Sequence, residues 1–155
     1  MTERSVTHAT FVLERTYPAS PARVFAAWAD PSVKSRWFAG DEAPSEFTLD
    51  FRVGGREINR GVGPDGRTYT YEARYQDIVP DQRILYAYDM YLDATRISVS
   101  LGTVQIEPAE SGTRLTYTEQ GAFLDGHDTP AAREQGTREL LDALGAVLEA
   151  RSAAV

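Results

Sequence analysis

The sequence has no cysteine, two histidines (His8 and His127), two methionines and no excess of positive charge. Each shortage removes a class of function. Without cysteine there are no disulfides, thiolate metal sites or cysteine nucleophiles, and nothing points to an oxidising compartment. With two histidines and no G-x-S-x-G stretch, neither common nucleophilic triad can be assembled. Sixteen Lys and Arg stand against 23 Asp and Glu, a formal charge of −7. A surface for nucleic acid or anionic lipid needs clustered cations, so neither partner is expected. No apolar run reaches the roughly 18 residues of a membrane span, and the start, Met1-Thr2-Glu3-Arg4, is polar. A cytoplasmic protein is the expectation, with no cofactor and no metal.

What is present reads as a single domain over 1–155, with an ordered core from about 10 to 150. Residues 10–16 (TFVLERT) are β-branched and aromatic enough for a strand. Ser20 can then cap a helix opened by Pro21, whose missing N–H would be an orphan there anyway. Val24, Phe25 and Trp28 form its apolar stripe. Asp30 and Pro31 repeat the device, and a second short helix to about Phe38 turns Val33, Trp37 and Phe38 inward, just before a Gly40-Asp41-Glu42 loop.

From 45 to about 124 the period changes to two. Phe47, Leu49, Phe51 and Val53 alternate, and Gly54-Gly55 marks a bend or bulge. Strand runs follow over 56–62, 68–79, 83–92, 96–106 and 114–124, separated by turns at Pro64-Asp65-Gly66, Pro80-Asp81 and Glu110-Ser111-Gly112. The apolar parity switches between Leu101 and Val104, which predicts a bulge or sharp bend at Gly102. Thr129-Pro130 opens a long helix striped by Leu140, Leu141, Leu144, Val147 and Leu148. A curved antiparallel meander with one apolar face must be covered, and the only long helix available is the last one. The fold class is therefore α+β, a helix-grip arrangement in which the sheet wraps the C-terminal helix and two short helices follow the first strand.

Five stretches, in this order, also resemble a known family: "PASPARVFAAWADPSVKSRWF" (18–38), "DFRVGGRE" (50–57), "YQDIVPDQRILY" (75–86), "SGTRLTYTEQG" (111–121) and "EQGTRELLDALGAVLE" (134–149). They are similar to the START-like (SRPBCC) superfamily, and within it to the group related to the C-terminal domain of the Hsp90 ATPase activator. The resemblance implies a pocket between sheet and long helix that takes a small apolar or aromatic molecule, with the two short helices closing one end. Trp37, Phe38, Phe47, Tyr71, Tyr75, Tyr86, Tyr88, Met90, Phe123 and Leu144 are its candidate lining residues, and Trp28 is an anchor read as core.

Two carboxylates stand out on the strands. Glu119 shares parity with Leu115 and Tyr117 and would face the core, where an unpaired carboxylate is costly. It is either a polar handle or acid in the pocket, or it pairs with an arginine or twists outward near Gly121. Glu57 follows the double glycine where relatives often carry an apolar residue, and Asn59 shares its parity. If inward, it makes the wall more polar than a lipid-like ligand would favour.

Other motifs fail on context. Gly61-Val62-Gly63-Pro64-Asp65-Gly66 matches G-x-G-x-x-G, but it precedes a strand and cannot aim a helix N-terminus at a pyrophosphate, so it reads as a hairpin turn. Asp125-Gly126-His127-Asp128 sits at a helix start, where Asp and Thr act as caps rather than metal ligands. Three functional readings follow: a small-molecule binding module; a cyclase- or hydratase-like enzyme using Glu119 and a pocket tyrosine; and, from the resemblance, an Hsp90-type chaperone partner. A homodimer is compatible with each.

Overall fold

Ser20 accepts a hydrogen bond from Arg23 N and Pro21 opens the helix behind it, so the chain leaves strand β1 (Val6–Tyr17) directly into α1 (Pro21–Ala29). Asp30 then serves two helices at once. Its N–H bonds Ala26 O at 2.8 Å to finish α1, and its carboxylate accepts from Ser32 N at 2.9 Å to start α2 (Pro31–Phe38). The computed structural model describes residues 4–38 and 46–153. The Gly40-Asp41-Glu42 loop read from the sequence lies outside the described residues.

The remaining strands are β2 (Glu46–Leu49), β3 (Arg56–Val62), β4 (Thr68–Val79), β5 (Arg83–Leu92), β6 (Thr95–Ala109) and β7 (Gly112–Leu124), followed by α3 (Pro130–Ala153). Together with β1 they form one curved, seven-stranded antiparallel sheet in the order β1-β7-β6-β5-β4-β3-β2. The helix-grip α+β architecture is thus the observed one. Strands β1 and β2, neighbours in sequence, lie at opposite edges, and α1 and α2 bridge them. No described helix is long and apolar enough to cross a membrane.

The core lies on the concave face. Leu13, Tyr17, Ile84, Val104, Ile106 and Leu115 alternate inward and meet Val24, Trp28 and Trp37 from the short helices and Leu141, Leu144 and Leu148 from α3. The C-terminal half of α3 is tied down by specific bonds. Tyr17 Oη donates to Leu141 O at 2.8 Å, Arg23 donates to Leu148 O at 2.9 Å, and the Tyr17 ring lies against Gly145. Its N-terminal half instead stands over the tyrosines of β4, β5 and β7, and there the space is not filled.

Two local expectations are corrected. The alternation beginning at Phe47 stops at Leu49, and Val53 is exposed in a turn through Gly54 (φ +84°) that joins β2 to β3. Gly55 must be glycine there, because a Cβ would lie 2.1 Å from Asp50 O. Nor does β6 bulge at Gly102, where pairing with Tyr86 and Glu119 is regular. The irregularity falls at Ile97, between the Met90–Ser98 and Tyr91–Arg96 pairs. The parity seemed to switch because Ser98 and Ser100 face inward while exposed Val99 and half-buried Leu101 face outward. Gly102 has another purpose: a Cβ there would come within 2.7 Å of the buried Tyr86 ring. Gly102→Ala is therefore expected to destabilise the fold by about 1–3 kcal/mol, read as a lower urea midpoint at unchanged slope.

Candidate functional site

A cavity of about 510 Å³ opens between the sheet and the N-terminal half of α3. Its walls are aromatic. Trp28, Trp37 and Phe38 close one side, and Tyr71, Tyr86, Tyr88 and Tyr117 form the floor, with Met90, Leu140 and Leu141 between them. The rings brace one another edge to face: Trp28 on Trp37 at 4.8 Å, Trp37 on Phe38 at 5.6 Å and Phe38 on Tyr71 at 4.9 Å between centroids. At the mouth the lining turns to smaller and more polar residues. Gly61, Val62, Gly63 and Tyr69 border it from the β3–β4 hairpin, Asp128 from the segment before α3, and Ala132 and Gly136 from the helix.

Among the described residues, the charged groups of the wall belong to one network. Arg133, in the first turn of α3, points down onto β7 and is nearly buried. Its guanidinium donates to Tyr88 Oη (2.8 Å), Ser98 Oγ (2.8 Å) and Asp128 (3.0 Å), and lies 3.5 Å from Glu119. Glu119, buried on β7, accepts from Tyr117 Oη at 2.7 Å on one oxygen and from Tyr88 Oη at 2.8 Å on the other. Tyr86 and Tyr117 hydroxyls are 3.0 Å apart. Since Tyr117 commits its single proton to Glu119, Tyr86 is the donor in that pair. A directed chain, Tyr86 to Tyr117 to Glu119, thus runs along the floor. Burial lowers the Arg133 pKa, but Tyr88, Glu119 and Asp128 outweigh it, and the net shift is upward. The guanidinium stays charged.

A second buried ion pair fastens the closed end. Lys34 of α2 and Glu57 of β3 are fully enclosed, with Nζ 2.6 Å from one Glu57 oxygen, which also accepts from Tyr75 Oη at 2.6 Å. The ammonium lies 4.4 Å from the Phe38 centroid and 5.5 Å from that of Trp28, within reach of cation–π attraction. Desolvation lowers the Lys34 pKa, and Glu57 opposes that shift. Trp28 Nε1, Tyr71 Oη and the other Glu57 oxygen are buried and find no hydrogen-bond partner among the described residues.

Comparison with known proteins decides the family. The model of the family described as "Activator of Hsp90 ATPase homolog 1-like protein" matches residues 18–149. The chain belongs to this family. Among solved structures, an uncharacterized protein from Rhizobium leguminosarum is 49% identical over 96% of this chain and 99% of its own, with a TM-score of 0.92. A Rhizobium loti protein is 52% identical over 93% of this chain and 99% of its own (TM-score 0.87). One from Chromobacterium violaceum is 26% identical over 90% and 97% (TM-score 0.71). No curated protein matches the sequence.

In this family member the cavity gathers Trp37, Phe38, Tyr71, Tyr86, Tyr88, Met90 and Glu119 from the candidates read in the sequence, together with Trp28. It does not gather the rest. Phe47 sits on edge strand β2, and Leu144 of α3 belongs to the packed core. Phe123 lies behind Arg133, with its ring 5.1 Å from the guanidinium carbon. Glu57 and Tyr75 are inward, but they are spent on Lys34 at the closed end. Glu119 satisfies two alternatives at once, facing inward and pairing with an arginine.

The cations themselves escaped sequence reading, although each carries a signal. Lys34 stands three and four residues before Trp37 and Phe38, on the same helix face. Arg133 continues the stripe of Thr137, Leu140, Leu141 and Leu144 toward the N-terminus.

Removing Lys34 strands a buried carboxylate. Lys34→Met should cost about 3–5 kcal/mol in chemical denaturation, and adding Glu57→Gln should recover most of it; a single-variant loss below about 1 kcal/mol would refute the pin. The tyrosines give a pH prediction. Burial raises the pKa of Tyr17, Tyr71, Tyr75, Tyr86, Tyr88 and Tyr117 above the ordinary 10. A group raised in the folded state stabilises below its unfolded pKa and loses that stability as pH climbs past it, here by up to about 1.4 kcal/mol per pH unit for each tyrosine. Lys34, being lowered, works the other way, but it is one group against six. Cooperative unfolding above about pH 10 is expected, with the phenolate absorbance of these tyrosines rising together with loss of circular dichroism.

Proposed function

We propose that the protein is a binding module that holds one small, hydrophobic or aromatic molecule in the cavity beneath α3. The observation that carries this reading is the 510 Å³ space itself, walled by aromatic side chains that brace one another rather than collapse inward. The mouth supports it. Gly61 and Gly136 both border the opening, neither has a left-handed backbone, and a Cβ on either would meet nothing within 4 Å. Glycine inside a helix costs about 1 kcal/mol relative to alanine, and no packing neighbour requires it at Gly136. Its smallness keeps the way in wide.

The enzymatic reading finds less support. Both oxygens of Glu119 are occupied by Tyr117, Tyr88 and Arg133, which suits an orienting carboxylate better than one that exchanges protons with a guest. A chaperone role rests on the family's description alone.

A neutral reporter, N-phenyl-1-naphthylamine, tests the module. Its emission should rise on mixing with the native protein. Gly136→Phe, which projects a ring into the mouth, should suppress that rise at least about tenfold with an unchanged far-UV spectrum. Equal emission from both proteins would count against the cavity as the binding place.

A further inference from the structure

The charges of the cavity wall say what kind of guest fits, granted that the cavity binds one as argued above. Among the described residues three ionic groups reach it: Arg133, Glu119 and Asp128, one cation against two anions. None is idle. Arg133 is shared among Tyr88, Ser98, Asp128 and Glu119. Glu119 accepts from two tyrosines, one on each oxygen. Asp128 accepts from Thr129 N at 2.8 Å on one oxygen and from Arg133 on the other. Lys34, behind the aromatic wall, is consumed by Glu57.

A carboxylate or sulfonate entering this space would lose its hydration, find no uncommitted cation, and stand beside two anions. A bound organic cation would find no carboxylate oxygen free of an existing donor. Burying an ion without a partner is among the most unfavourable events in an apolar site. We propose that the Arg133–Glu119–Asp128 network acts as a charge filter, so that the cavity accepts neutral aromatic molecules and rejects carboxylates of the same shape. Apolar grip comes from the rings; discrimination comes from a polar cluster that is already complete. The filter is reversible by design. Neutralising one of its two carboxylates takes the cluster from one excess negative charge to none and leaves Arg133 with a single anionic partner, so that a carboxylate entering the cavity meets less repulsion.

A matched pair of ligands reads this directly. The ketone 4-phenylacetophenone and the anion biphenyl-4-carboxylate have nearly the same outline, and quenching of Trp28 and Trp37 fluorescence at pH 7.5 gives both affinities. The native protein should prefer the ketone by at least about tenfold. Glu119→Gln should shift the preference toward the carboxylate by about tenfold or more. Asp128→Asn, nearer the mouth and partly exposed, should shift it the same way and stands in if Glu119→Gln does not fold. Equal affinity for the two ligands, or a preference for the anion in the native protein, overturns the filter while leaving the binding module intact. An unmoved preference in the folded variants overturns it as well. If neither ligand quenches the native protein, the binding reading falls, and the filter with it.

Discussion

A guanidinium enclosed by protein must be neutralised and hydrogen-bonded where it lies, and Arg133 meets both demands from four elements at once. Tyr88 comes from β5, Ser98 from β6, Glu119 from β7, and Asp128 from the segment leading into α3. The first turn of the long helix is thereby fixed to the middle of the sheet by polar contacts. Its other end is held by apolar packing and by Tyr17 and Arg23. Between these attachments α3 bridges a concavity that it does not fill, and the cavity is the space under that bridge.

The closed end follows the same logic with a different ion pair. Lys34 fastens α2 to β3 through Glu57, under a roof of Phe38 and Trp28. Two buried salt bridges therefore flank a cavity whose own surface is largely aromatic. Buried ion pairs are poor sources of net stability, since desolvation consumes most of the attraction, but they penalise any arrangement that separates the partners. In this chain they set where the two covering elements sit above the sheet.

Much of this was legible in the sequence, because the devices involved are local. Ser20-Pro21, Asp30-Pro31 and Thr129-Pro130 announce helix starts through capping chemistry that needs no tertiary context, and the glycine- and proline-bearing turns delimit the strands. Glu119 was detectable because strand parity carries it to the side of Leu115 and Tyr117, and Glu57 because it stands after the double glycine where similar sequences often carry an apolar residue. The partners of those carboxylates were not. A lysine or arginine on a helix ordinarily reads as part of the solvated face, and only the fold brings Lys34 onto Glu57 or Arg133 onto Glu119. Strand β6 misled for the opposite reason: Ser98 and Ser100 point inward to accommodate polar and bulky neighbours, while Val99 and Leu101 look outward, so hydrophobicity alone assigns the faces wrongly.

Asp30 closes one helix and opens the next with no residue to spare. The joint between α1 and α2 consequently has no slack. One residue added or lost there would turn α2 about its axis by about 100°, swinging Trp37 and Lys34 away from the sheet together. Evolution can vary the side chains around this elbow, but the spacing from Pro21 to Phe38 has to be inherited as a unit.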